Sequence, residues 1–155
     1  MTAAYEERME ALGIALPEAL VPVAGYAGAC RLGNILIVSG QLCYGPGLKL
    51  VAVGLLGADI SIEQGTAAAR CCALNVLARA KAELGSLNRI RRIGRLGGFV
   101  AATPDFRDHS KVMASATSLM IDIFGDAGRH ARATIGVASL PLGSAVQVDA
   151  LIEFE

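Results

Sequence analysis

Two segments of this chain have the length and pattern of principal helices, while most of the others read as strands. That imbalance constrains the fold more than any single motif. Ser61 opens the clearer helix, with Gln64 three residues later at capping-box spacing. The helix runs through AAARCCALNVLARAKAEL and stops at Gly85, a residue suited to a left-handed cap. Pro104–Phe124 is the second helix, weaker in its first turn. Strands are predicted over Tyr26–Arg31 and Ile35–Gln41, joined by a Gly33–Asn34 turn, and over Arg89–Ala102. Another carries Arg132, between a GDAG turn and a break at Leu140–Gly143, and the last covers Ala145–Glu153. A short strand is expected at Leu50–Val53 and a short helix over Ala4–Leu12. The order is β-β-(β)-α-β-α-β-β in a single domain, 1–155, with 1–20 as an N-terminal helical extension. Two helices cover only one face of such a sheet, so something else must cover the other.

Composition points the same way. The chain is 54% apolar and only 18% charged, against about 25% charged in ordinary soluble domains. An apolar, charge-poor chain of this kind buries extra surface against copies of itself, so a homo-oligomer is expected. No apolar run reaches the length of a membrane span. Basic and acidic residues balance at 14 each, which argues against a broad nucleic-acid footprint. One basic cluster stands out, Arg89, Arg91, Arg92 and Arg95. Alternation places Arg92 on one face and the other three on the opposite face, the pattern of a solvated strand edge. The start, MTAAYEERMEAL, does not resemble a signal peptide. Cys30, Cys43, Cys71 and Cys72 lack metal-ligand spacing and read as buried, reduced thiols of a cytoplasmic protein. No metal is expected.

Arg132 is the residue that points to chemistry. Alternation sends Ala133, Ile135 and Val137 to one side, toward a core, and Arg132, Thr134 and Gly136 to the other. A guanidinium among small neighbours on a rigid strand is a two-pronged holder for a carboxylate. The competing reading is an edge-strand arginine that merely solubilises the sheet.

Four stretches, in order, carry a resemblance. They are RLGNILIVSGQL at 31–42, AARCCALN at 68–75, FGDAGRHARA at 124–133 and VASLPLG at 137–143. Together they resemble the RidA/YjgF family, also known as endoribonuclease L-PSP-like proteins, over roughly Val21–Glu153. The resemblance implies a chorismate-mutase-like α+β sandwich of the bacillus type, with two main helices on one face of a mixed sheet. It implies a homotrimer with ligand clefts between subunits. It also implies hydrolysis of reactive enamines and imines of the 2-aminoacrylate type to 2-keto acids and ammonia, with no cofactor. In that pattern Arg132 binds the substrate carboxylate and Tyr26 is the pocket tyrosine. Ser39 and Gly40 are the serine and glycine of the SGQ motif. Thr134 supplies a backbone amide where relatives carry cysteine. His109 and His130 have no place in the pattern and read as surface or capping residues.

The chain departs from the pattern on its last strand. The family glutamate that positions or activates the attacking water corresponds to Gln147, which hydrogen-bonds water but cannot take its proton. Asp149, two residues on, faces the same side and is the nearest substitute base; its other reading is a structural carboxylate. A family asparagine of the second helix corresponds to Ala114. Three functions follow: a weak imine deaminase, a non-catalytic trimer binding small carboxylates or keto acids as a sensor or chaperone, and an endoribonuclease. Zero net charge and two unpaired histidines disfavour the last.

Overall fold

A computed structural model describes residues 4–155; residues 1–3 of the predicted N-terminal extension lie outside the described residues. The capping box forms as its spacing predicts: Ser61 Oγ accepts from the Gln64 amide at 3.1 Å, and Gln64 Oε1 accepts from the Ser61 amide at 2.9 Å. It opens α2 (Ile62–Leu84), which Gly85 closes with φ of 84°. The buried positions of α2 include Gly65, Ala68, Ala69, Cys72, Ala73, Val76, Leu77, Ala80 and Leu84. They recur every three to four residues and form a single apolar stripe. Small side chains dominate that stripe, so α2 lies close to its neighbours; a Cβ on Gly65 would press on Leu56 and Val112.

The remaining elements are α1 (Tyr5–Ala11), β1 (Ala29–Leu32), β2 (Ile35–Leu42), β3 (Ile90–Ala101), α3 (His109–Phe124), β4 (Ala131–Val137) and β5 (Val146–Phe154). The five strands form one mixed sheet in the order β1-β2-β5-β3-β4, and only β3 and β4 are parallel. The fold is the α+β sandwich expected. Leu36, Val38, Leu96, Val100, Val148 and Ile152 from the sheet are buried in one core with Leu77, Met113, Leu119 and Ile123 of the helices. The opposite face of the sheet stays open in the protomer: Ile37, Leu151 and Ile135 on it are 39%, 37% and 49% exposed. Among the described residues, no helix is long and apolar enough to cross a membrane.

Several boundaries differ from expectation for local reasons. The first strand begins at Ala29 rather than Tyr26, because Gly25 turns left-handed and Ser39 Oγ donates to the Ala27 carbonyl at 2.7 Å. Residues 104–108 are not helical. Arg107 donates to the carbonyls of Pro104 and Phe106, groups that a helix would have used internally, and α3 starts at His109. Leu50–Val53 makes only single bridges, Tyr44 to Leu50 and Val53 to Ser144. On β3, irregularities around Arg91 and Gly94 upset strict alternation. Arg92 lies opposite Glu153 and Arg95 opposite Leu151, so these two arginines share the open face instead of opposing each other. Of the cysteines, Cys43 and Cys72 are buried, but Cys30 is exposed on the edge strand β1. Cys71 donates to the Tyr44 carbonyl at 3.0 Å, and burial pushes its thiol up to about 11.

Candidate functional site

β4 alternates as its sequence predicts, but its faces are reversed. Thr134 lies beside Gly98 in the parallel register, and a Cβ on Gly98 would meet Met113 of α3 at 2.7 Å. A Cβ on Gly136 would meet His109 Nε2 at 2.5 Å, and Arg132 Nη1 donates to Thr117 Oγ1 at 3.0 Å. The Arg132, Thr134 and Gly136 side therefore faces the helices, while Ala133 and Ile135, read as core residues, point to the open face. Alternation marks two faces but does not say which one a helix covers. His109, Met113 and Thr117, spaced by helical turns, run antiparallel along β4 and fix that choice.

Arg132 stands at the sheet edge with an exposed guanidinium. Among the described residues, one of its five N–H donors is taken, by Thr117. Thr117 Oγ1 also lies 3.1 Å from His130 Nε2, and His130 Nδ1 lies 2.7 Å from the Gly128 carbonyl. A carbonyl only accepts, so Nδ1 carries the proton and Nε2 accepts from the threonine. Burial lowers the His130 pKa from its ordinary value; the Gly128 carbonyl opposes this and the Arg132 charge reinforces it. His130 is half-buried rather than a surface residue, and no sequence spacing marks it or Thr117 as part of a site. Thr134 Oγ1, on the same face of β4 as Arg132, is buried without a hydrogen-bond partner among the described residues.

The other predicted residues gather elsewhere. The β2–β5 register runs from Val38–Ala150 to Gln41–Val148, leaving Ser39 and Gly40 bulged opposite Asp149. Bulges of this kind re-aim backbone and side chains beside functional sites. A Cβ on Gly40 would fall 2.8 Å from Gln147 Cδ, so the absent side chain makes room for Gln147 first of all. Tyr26 and Gly40 line one groove of about 580 Å³, walled by Val21, Leu42, Leu48 and Leu142. Tyr26 is 57% exposed at its rim. Asp149 faces the same side as Gln147 and pairs with Arg95 at 3.2 Å. Ala114 is exposed on the outer side of α3.

The predicted residues therefore fall into two groups. Tyr26, Ser39, Gly40, Gln147 and Asp149 gather at the β2–β5 bulge, with Gln147 and Asp149 on the open face; Arg132 and Thr134 lie on the helical face of β4. From Ser39 and Gly40 on β2, strands β5 and β3 intervene before β4, about 14 Å at the usual strand spacing; from Gln147 and Asp149 on β5, β3 alone intervenes, about 10 Å, and Arg132 lies on the other face of the sheet. One small carboxylate cannot touch both groups within one protomer. Among the described residues, no cluster of three His, Cys, Asp or Glu side chains could hold a metal.

Comparison with known proteins fits this architecture. Protein TCP17 of Trypanosoma cruzi is 43% identical over 146 residues, covering 94% of this chain and 91% of that protein. A crystal structure from Agrobacterium tumefaciens, of a protein with unknown function, superposes with a TM-score of 0.90 at 42% identity, covering 97% and 92% of the two chains. A second, described as a "putative endoribonuclease" from Shewanella oneidensis, gives 0.92 at 37% identity, covering 97% and 99%. The family model described as "YjgF/chorismate_mutase-like, putative endoribonuclease" matches residues 6–154. This chain belongs to the YjgF/chorismate-mutase-like family.

Proposed function

We propose that this protein binds small 2-imino or 2-keto acids through Arg132 and hydrolyses the imines slowly, releasing a 2-keto acid and ammonia. The observation that carries this reading is Arg132 itself: a guanidinium at a sheet edge, tethered at one η-nitrogen, with four N–H donors that no described residue engages. The site is proposed to be completed by a second copy in a homotrimer. Two facts support that assembly: the sheet face carrying Ile37, Leu151 and Ile135 is exposed in the protomer, and Gln147 and Asp149 lie on the opposite face of the sheet from Arg132 and Thr134.

The chemistry needs little from side chains. Water adds to the C=N carbon, a proton moves to nitrogen, and the C–N bond of the tetrahedral adduct breaks to leave ketone and ammonia. Arg132 neutralises and orients the carboxylate. Gln147, beside the bulge, can hold the water by hydrogen bonds but cannot deprotonate it. Asp149 is engaged by Arg95, which limits its service as a base. No cofactor enters these steps.

Gln147 also favours a second reading, a carboxylate-binding protein that does not turn over. Ammonia release from imines made in situ by an amino-acid oxidase separates the two. Turnover above that of Arg132→Ala supports the enzyme. Keto-acid binding without turnover, with turnover appearing in Gln147→Glu, supports the binder. Nucleolysis, suggested by the family description, draws little support from charge: Arg91 pairs with Glu155 and Arg95 with Asp149.

A further inference from the structure

The Arg132 tether is the end of a longer chain of hydrogen bonds. His130 Nδ1–H donates to the Gly128 carbonyl at 2.7 Å, which fixes the tautomer and leaves Nε2 as an acceptor. Thr117 Oγ1, 3.1 Å away, donates its proton to Nε2. With that proton committed, the threonine oxygen presents lone pairs to Arg132 Nη1, which donates at 3.0 Å. The start of the chain is rigid. Gly128 is buried in the turn after α3, and a Cβ there would lie 2.6 Å from the Met120 carbonyl carbon, so the turn packs directly on α3 backbone. Thr117 belongs to the same helix.

We infer that Thr117 and His130 are positioning residues for Arg132: the chain Gly128 carbonyl–His130–Thr117 holds one η-nitrogen and leaves the Nε–Nη2 edge free for a ligand carboxylate. This rests on Arg132 being the carboxylate anchor. A free arginine on an edge strand samples many rotamers, and binding has to immobilise it. Holding it beforehand improves affinity by removing part of that cost. The directionality matters as much as the contact. A hydroxyl whose proton was free to point at the guanidinium would repel it; His130 Nε2 gives that proton another destination. Neither residue touches the ligand in this role.

The test is the affinity of the assembled protein for 2-ketobutyrate by calorimetry, in wild type, Arg132→Ala, Thr117→Val, Thr117→Ser and His130→Ala. Thr117→Val keeps the shape but removes the oxygen, and is expected to weaken binding about three- to tenfold. Thr117→Ser restores the oxygen and is expected to bind as wild type, a rescue that a packing role would not produce. His130→Ala is expected to weaken binding in the same direction, and Thr117→Val with His130→Ala no more than either alone, because both act through one chain. Wild-type affinity in Thr117→Val, alongside lost binding in Arg132→Ala, overturns the positioning role and leaves the anchor standing. Unchanged binding in Arg132→Ala overturns the anchor, and the positioning role with it.

Discussion

Gly40 lies directly over Gln147: a Cβ at position 40 would sit 2.8 Å from Cδ and 3.1 Å from Cγ of the glutamine. Any larger residue in the bulge must move that side chain. Because Gln147 is half-exposed and its amide end can swing, Gly40→Ala is expected to cost less than the roughly 1–3 kcal/mol of overpacking a closed core. Keto-acid affinity should fall, because the added methyl narrows the approach to the Gly40 backbone. Gly128→Ala is the contrasting case. Its Cβ would meet helix backbone that cannot step aside, and the expected loss is about 1–3 kcal/mol or more. Chemical denaturation of both variants checks the contrast, and equal losses would contradict it.

Gln147, proposed to hold the attacking water, should become a base in Gln147→Glu. General base catalysis is typically worth about 10²–10⁴-fold, and the variant's ammonia release should rise within that range while keto-acid affinity changes little. A rate no higher than wild type would mean that the water is placed by some other group.

His130 gives the fold an acid sensitivity. Burial first, opposed by the Gly128 carbonyl and reinforced by Arg132, holds its pKa below the ordinary 6.5. The unfolded chain then binds the proton at higher pH than the folded one, so stability rises with pH across the gap. The contribution is complete above about 6.5 and is lost as pH falls through the folded value. Denaturation midpoints between pH 7.5 and 5 should decline more steeply in wild type than in His130→Phe. Parallel curves would remove the assignment.

What the chain reveals by inspection follows from how local each feature is. The capping box of α2 needs only Ser61, Gln64 and four residues of backbone, and it forms as spaced. Ser61→Ala should cost about 1 kcal/mol in a denaturant titration. The β3 faces are not legible in the sequence, because irregularities around Arg91 and Gly94 reset the alternation, and no composition rule counts such a residue in advance. On β4 the period was legible but its polarity was not: the covered side is decided by α3, through His109, Met113 and Thr117. The helical stripe is visible in the sequence, yet only the packed sheet shows which strand face it meets. Arg132 was legible as a cation among small residues. Its partner Thr117 lies 15 residues away on another element, beyond any spacing argument.

Arg132 of one copy and the Gly40–Gln147 bulge of another are proposed to make a single carboxylate site. Co-assembly of two defective chains, Arg132→Ala and Gly40→Val, tests it directly through 2-ketobutyrate affinity and stoichiometry. Each variant alone should fail to bind. Mixed trimers should regain about one site in three, because one interface in each pairs an intact arginine with an intact bulge. Mixed assemblies that stay inactive, or an Arg132→Ala homo-oligomer that binds as wild type, would contradict the account.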